Sequence, residues 1–281
     1  MNSSRFFCLV AIALLRPAAA TAEEEVVIGN AIRNDAGVLV HRVRSPYQAG
    51  ETEIRVLLPA ELPPDETCRV LFVLPVEPGT GTRWGEPLAE LQKTQIPDRH
   101  RLICVHPTFS DWPWYADHPS DTEIRQETYL LRVVLPFVER TYPARRDASA
   151  RLLVGFSKSG WGAFSLLLRH PDTFGRAAAW DAPLNKQRPD QFGMDRIFAT
   201  QENFVGYQIS RLLEQQAAAV REGQRLIHLG YGNFRDHHLA IEQLLIRHKI
   251  THRFHDGPHR EHAWSSGWLP EAVELLLDSP G

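Results

Sequence analysis

Leu152-Leu153-Val154-Gly155-Phe156-Ser157-Lys158-Ser159-Gly160-Trp161-Gly162-Ala163 decides the fold. An apolar run enters a turn of small residues with Ser157 at its apex, and a helix-period segment continues to Arg169. A strand, a tight turn and a helix in that order form the nucleophile-elbow arrangement written G-x-S-x-G. Small residues are needed on both sides of the serine because the turn brings two backbone segments close together. Gly155 fills the first place, Ser159 stands where glycine is usual, and Gly160 follows directly. The free N–H groups at the start of the helix face any negative charge that develops at the serine.

Working outward, short apolar runs alternate with helix-period segments, which predicts an α/β protein with a mainly parallel sheet and helices on both faces. Val26 to Arg44 reads as an antiparallel hairpin about Asn34-Asp35-Ala36-Gly37, and Thr52 to Leu58 as a third extended piece. Buried strands are expected at Val70 to Leu74, Leu102 to His106, Arg151 to Phe156, Ala177 to Trp180, Leu226 to Leu229 and Arg253 to His255. Ser120-Asp121-Thr122-Glu123 has the pattern of a capping box, which predicts a helix from Ile124 with a kink at Pro136. Further helices are expected over Leu239 to Lys249 and from Pro270 onward. The segment 183–222 is the least regular and is expected to form a cap, with residues 23–281 as one domain.

The composition fits an ordinary globular chain: 281 residues, 43% hydrophobic and 23% charged, with a formal net charge of −3. No basic surface points to nucleic acid. Arg5, the apolar run Phe6 to Leu15 and the small-residue site Ala20-Thr21-Ala22 form a secretory signal peptide over 1–22. The run is shorter than the roughly 20 residues of a permanent span, so a secreted or periplasmic protein without a stable membrane span is expected. Export permits a disulfide, but Cys68 and Cys104 lie in apolar runs and are expected as buried thiols.

A nucleophilic serine needs a base and an acid that orients it. His259 and His262 both lie after the last strand, in Asp256-Gly257-Pro258-His259-Arg260-Glu261-His262-Ala263-Trp264. Asp236 is the first choice for the acid, in the loop after Leu226 to Leu229, with Asp181 and then Asp256 as alternatives. The second oxyanion donor is expected from the N–H of Val76 or Glu77, since Pro75 and Pro78 have none, and the first from Lys158. Lys158-Ser159-Gly160 also matches a penicillin-binding element, but its S-x-x-K partner is absent before every lysine. His255, His259 and His262 are interrupted by Gly257 and Pro258 and lack H-E-x-x-H, so no metal or other cofactor is expected. Trp112 and Trp114, in the aromatic loop Phe109 to Tyr115, are the expected substrate-binding residues.

With these residues in place, the chain resembles the putative-esterase (esterase D-like) family of α/β-hydrolases, which includes S-formylglutathione hydrolases and feruloyl or acetyl-xylan esterases. The resemblance is densest from Gly155 to Trp180 and returns at His262-Ala263-Trp264 with Trp268 beyond. It implies an α/β-hydrolase fold with Ser157 as nucleophile and His262, rather than His259, as base. The family's acid place, counted from Gly230, falls on Asn233, with Asp236 three residues later. The expected function is a secreted serine hydrolase cleaving a small-molecule or carbohydrate-linked ester through an acyl-enzyme. The alternative is a weak or inactive hydrolase-fold protein that binds a ligand or partner through its aromatic loops.

Overall fold

The computed structural model describes residues 25–63 and 65–278, so the expected signal peptide over 1–22 lies outside the described residues. The strands are β1 (Val27–Ile28), β2 (Ile32–Arg33), β3 (Leu39–Arg44), β4 (Glu51–Leu57), β5 (Arg69–Val73), β6 (Leu102–Pro107), β7 (Arg151–Phe156), β8 (Arg176–Trp180), β9 (Leu226–Leu229) and β10 (His252–His255). They form one sheet in the order β1-β3-β4-β6-β5-β7-β8-β9-β10, with β2 also paired to β3. From β6 to β10 all pairings are parallel; β1 to β4 are antiparallel additions at the other edge. The hairpin turns where expected, with Asn34 Oδ1 accepting the Val38 N–H at 2.9 Å and Gly37 at φ +78°.

The helices are α1 (Pro87–Lys93), α2 (Ile96–His100), α3 (Gln126–Tyr129), α4 (Leu135–Thr141), α5 (Ser157–Arg169), α6 (Met194–Phe198), α7 (Gln201–Val205), α8 (Ile209–Val220), α9 (Arg235–Arg247) and α10 (Trp268–Leu277). Alternation along each central strand divides the core into two layers. Val70 and Phe72 of β5 pack with α4, α5, α8 and α9, whereas Leu71 and Val73 pack with α1, α2 and α10. Two faces covered by helices explain why the parallel strands read as unbroken apolar runs.

One expectation fails locally. The capping box at Ser120 to Glu123 does not start a helix. Asp121 Oδ1 accepts the Glu123 N–H at 2.9 Å in a local turn, Ile124 bridges to Gln48, and α3 begins at Gln126. A short polar side chain there satisfies the turn before it can cap anything. Before Pro136 the helix also widens: Leu130–Val134 is a π turn in which the Leu135 N–H reaches Leu130 O. A proline without an N–H is accommodated by that wider turn.

The segment 183–222 carries α6, α7 and α8, and its Phe198 and Phe204 are buried against Trp161. The loop before α6 reaches the serine edge of the sheet, where the Phe192 ring lies 5.8 Å from the Lys158 ammonium. Cys68 and Cys104 are buried free thiols, and burial pushes the Cys104 thiol up. Among the described residues no helix is long and apolar enough to cross a membrane.

Chain order reverses between β5 and β7, because β6 lies to one side of β5 and β7 to the other. The crevice outside the carboxyl ends of strands at such a switch point is where open α/β sheets bind ligands. Ser157 stands at that place. A Cβ on Gly155 would lie 2.5 Å from both C and O of Ser159, which are backbone atoms unable to yield. Gly155→Ala is therefore expected to cost about 1–3 kcal/mol by overpacking, seen as a lower urea midpoint; an unchanged midpoint would contradict this reading of the turn.

Candidate active site

β7 ends at Phe156, and Ser157 takes φ +52°, a conformation that side-chain-bearing residues adopt only when held. Several contacts hold it. The Ser157 N–H donates to Asp181 O at 3.2 Å. Ser159 Oγ donates to Phe156 O at 2.9 Å and accepts the Phe156 N–H at 3.0 Å, so the hydroxymethyl in place of the usual glycine closes the turn. Gly160 allows α5 to approach β8, since a Cβ there would lie 2.8 Å from that of Ala182.

The acid beside the histidine is Asp181, not Asp236. Asp236 is exposed in the first turn of α9, where its charge suits the helix N-terminus. Asp181 follows β8 at φ +40° and has no accessible surface. Its Oδ2 is 2.6 Å from His262 Nδ1, and its Oδ1 accepts the Phe234 N–H at 2.6 Å. The loop after β9, from which an acid was expected, wraps this carboxylate instead. Gly232 leaves the room, since a Cβ there would strike the Asp181 carboxyl group. Asn233, at the place counted from Gly230, is exposed. The Gly230-Tyr231-Gly232 spacing and an aspartate ending the preceding strand are the sequence signals for this arrangement.

His262 packs edge-on against Phe156 and Trp84, with ring centroids 4.9 and 5.1 Å apart. His259 is exposed beside Tyr231. The Trp264 N–H donates to Trp84 O at 2.9 Å, tying the His262 loop to the loop after β5. With Asp181 accepting at Nδ1, the His262 proton sits on Nδ1 and Nε2 is left as an acceptor. Neither Ser157 Oγ nor His262 Nε2 has a hydrogen-bonding partner among the described residues.

The loop after β5 is anchored by the Leu74 N–H to Val154 O at 2.9 Å and by Tyr115 Oη donating to Pro75 O at 2.5 Å. The Val76 and Glu77 N–H groups find no acceptor among the described residues. Tyr115 itself occupies space that only glycine leaves at Gly162, because a Cβ there would collide with its ring.

The two expected substrate-binding tryptophans part company. Trp114 is fully buried, edge-on to Trp161 at 5.4 Å, with Nε1 donating to Phe192 O at 3.0 Å; it belongs to the core and does not line the site. Trp112 is 40% exposed and carries the Lys158 ammonium 4.8 Å above its ring. Gln126 fixes this loop, accepting the N–H groups of Trp114 and Tyr115 and donating to Trp112 O. Burial pushes the Lys158 amine down to about 8, partly offset by Glu77.

Among the described residues, His228, Glu242 and His252 are the one trio close enough to share an ion. Their hydrogen bonds assign another role. The Ala182 N–H donates to His238 Nε2 at 2.9 Å, so His238 carries its proton on Nδ1, facing His228 Nδ1 at 3.3 Å. His228 then carries its proton on Nε2, toward Glu242 at 3.2 Å. A metal would need that nitrogen bare, and reversing the chain would set a His238 N–H against the Ala182 N–H. Burial pushes both His228 and His238 down, consistent with neutral rings. The chain of rings supports the residue next to Asp181.

A surface depression lined by Arg169, His170 and Tyr207 among others lies at the far end of α5 from Ser157. That end is about 20 Å away along a 13-residue helix. Asp181→Asn is expected to lower ester turnover by about 10⁴, as loss of the orienting carboxylate does in serine triads. Asp236→Ala is expected to leave it within a factor of a few. Steady-state kinetics of the two variants check this, and a reversed order contradicts the geometry.

The fold recurs widely among solved structures. A ferulic acid esterase superposes with TM-score 0.63 at 19% identity, covering 90% of this chain and 97% of its own. The S-formylglutathione hydrolase FrmB of Staphylococcus aureus gives 0.68 at 16%, covering 86% and 98%. FphF, a fluorophosphonate-binding serine hydrolase of Staphylococcus aureus, gives 0.69 at 17%, also covering 86% and 98%. No curated protein sequence matches significantly. The model of the family described as "Putative esterase" matches residues 45–233, well over half of the chain. The chain has the α/β-hydrolase fold of these neighbours and belongs to this esterase family, as a carboxylic ester hydrolase.

Proposed function

We propose that the protein is an exported serine esterase using Ser157, His262 and Asp181 through an acyl-enzyme. The observation that carries this reading is the 2.6 Å contact between His262 Nδ1 and the buried Asp181 carboxylate, beside the positive-φ turn that presents Ser157. Asp181 holds the imidazole with Nε2 open. As substrate binds, the Ser157 hydroxyl hydrogen-bonds to Nε2. Oγ then attacks the ester carbonyl while Nε2 takes its proton. The oxyanion is received by the Lys158 N–H and by that of Glu77 or Val76. Each such donor is worth about 10²–10³ in turnover. His262 returns the proton to the leaving alcohol, and a water activated by the same nitrogen releases the acid and regenerates Ser157.

Trp112 offers an aromatic face at the rim, which suits a phenolic or carbohydrate-linked ester. The ferulic acid esterase among the structural neighbours is compatible with such a substrate. The Arg5 to Ala22 segment supports export to the periplasm or medium. The reading of an inactive binding protein drew its force from Asn233, and an acid supplied by Asp181 removes that motive.

The test is fluorophosphonate labelling of the mature protein with p-nitrophenyl acetate turnover read in parallel. Both are expected in the wild type and absent in Ser157→Ala. Labelling that persists in Ser157→Ala, or a folded wild-type protein that neither labels nor turns over ester, would overturn the mechanism.

A further inference from the structure

Lys158 directly follows the nucleophile, and its side chain is a charged group buried at the serine edge with no bonded partner among the described residues. The residue is only 8% exposed. Its ammonium lies 4.8 Å from the Trp112 ring centroid and 5.8 Å from that of Phe192, between the loops after β6 and β8. No hydrogen bond or ion pair reaches Nζ among the described residues, yet the atom is not sealed from solvent. Lys186 differs: it also approaches Phe192, but it is paired with Asp190 at 2.5 Å. Arg83, stacked over Trp84, adds positive charge on the side of the loop after β5, and Glu77 is the acidic group close enough to compete for Lys158.

An ammonium between two aromatic faces keeps its charge but loses part of its hydration. A carboxylate arriving there gains more than it would from a fully hydrated lysine, because the surrounding dielectric is lower. We propose that Lys158 makes the site selective for esters that carry an anionic group near the scissile carbonyl. The inference rests on the serine-esterase reading and names its substrate class. The anion sits on either the acyl or the alcohol side, since Lys158 flanks the nucleophile itself. Loss of the ammonium proton removes the attraction, so the preference falls as pH rises through about 8. Glu77 and Arg83 are the charged groups facing Lys158, and Trp112 and Phe192 bring none.

Two matched pairs separate the sides. For the acyl side, kcat/KM is compared for 4-nitrophenyl hemisuccinate and 4-nitrophenyl levulinate, in which a methyl ketone replaces the carboxylate. For the alcohol side, 4-acetoxybenzoate is compared with 4-acetoxyacetophenone. The wild type is expected to favour the anionic member of at least one pair by about 10-fold, the scale of one charge-assisted hydrogen bond. Lys158→Met should bring that ratio near unity, and Glu77→Gln should raise it. Each ratio is internal to one variant, so a general loss of activity cancels. Equal or slower turnover of the anionic member in both pairs, or a preference untouched by Lys158→Met, would overturn the proposal. If Ser157-dependent turnover is absent, the esterase reading fails separately. Titration of Ser157→Ala protein with hemisuccinate and levulinate esters, followed by tryptophan fluorescence, then decides the anion preference: tighter hemisuccinate binding lost in Ser157→Ala/Lys158→Met supports it, and equal binding overturns it.

Discussion

A carboxylate with no accessible surface must be paired on both oxygens or it is destabilising, and Asp181 meets that demand with groups from two other parts of the chain. His262 approaches Oδ2 from the loop after β10, and the Phe234 N–H approaches Oδ1 from the loop after β9. The backbone of the same residue is equally committed, its N–H to Leu229 O and its carbonyl to the Ser157 N–H. One residue thus joins the nucleophile turn, the base and two strand ends. Replacing the carboxylate by an amide would leave one acceptor oxygen for two donors, His262 Nδ1 and the Phe234 N–H, so one of them would lose its partner.

The surrounding packing serves this junction. Trp180 stacks on Trp268 with ring planes 6° apart, fixing the end of β8 against α10. Gly232 gives the carboxyl group its space, Gly160 brings α5 against β8, and Gly162 admits Tyr115, which clamps Pro75. Beneath Ala182, the buried rings of His238 and His228 carry hydrogen bonds toward the partly exposed Glu242. The loops above are fixed by aromatic and amide contacts, so Lys158 is held between rings rather than left to solvent.

The elbow, the parallel strands and the hairpin were legible because each is a local pattern: a small-residue turn, an unbroken apolar run, an Asn-to-Gly turn. The places of Ser157 at the turn and of His262 in the loop after the last strand were legible for the same reason. The carboxylate beside His262 was not, because the choice between Asp236 and Asp181 turns on three-dimensional space at Gly232. Both aspartates follow strands, and only packing distinguishes a helix-start carboxylate from one drawn under a glycine loop. Trp114 and Trp112 stand two residues apart with opposite fates, since Tyr115 and Gln126 set the loop's direction from distant elements. The turn at Asp121 consumed a capping pattern that the sequence alone presents as a helix start.

The most direct test of Asp181 as the partner of His262 is proton NMR of protein trapped with a fluorophosphonate. A strongly deshielded exchangeable proton on His262 Nδ1 is predicted in the wild type and in Asp236→Ala, and its loss in Asp181→Asn. A signal that survives in Asp181→Asn and disappears in Asp236→Ala would contradict the account.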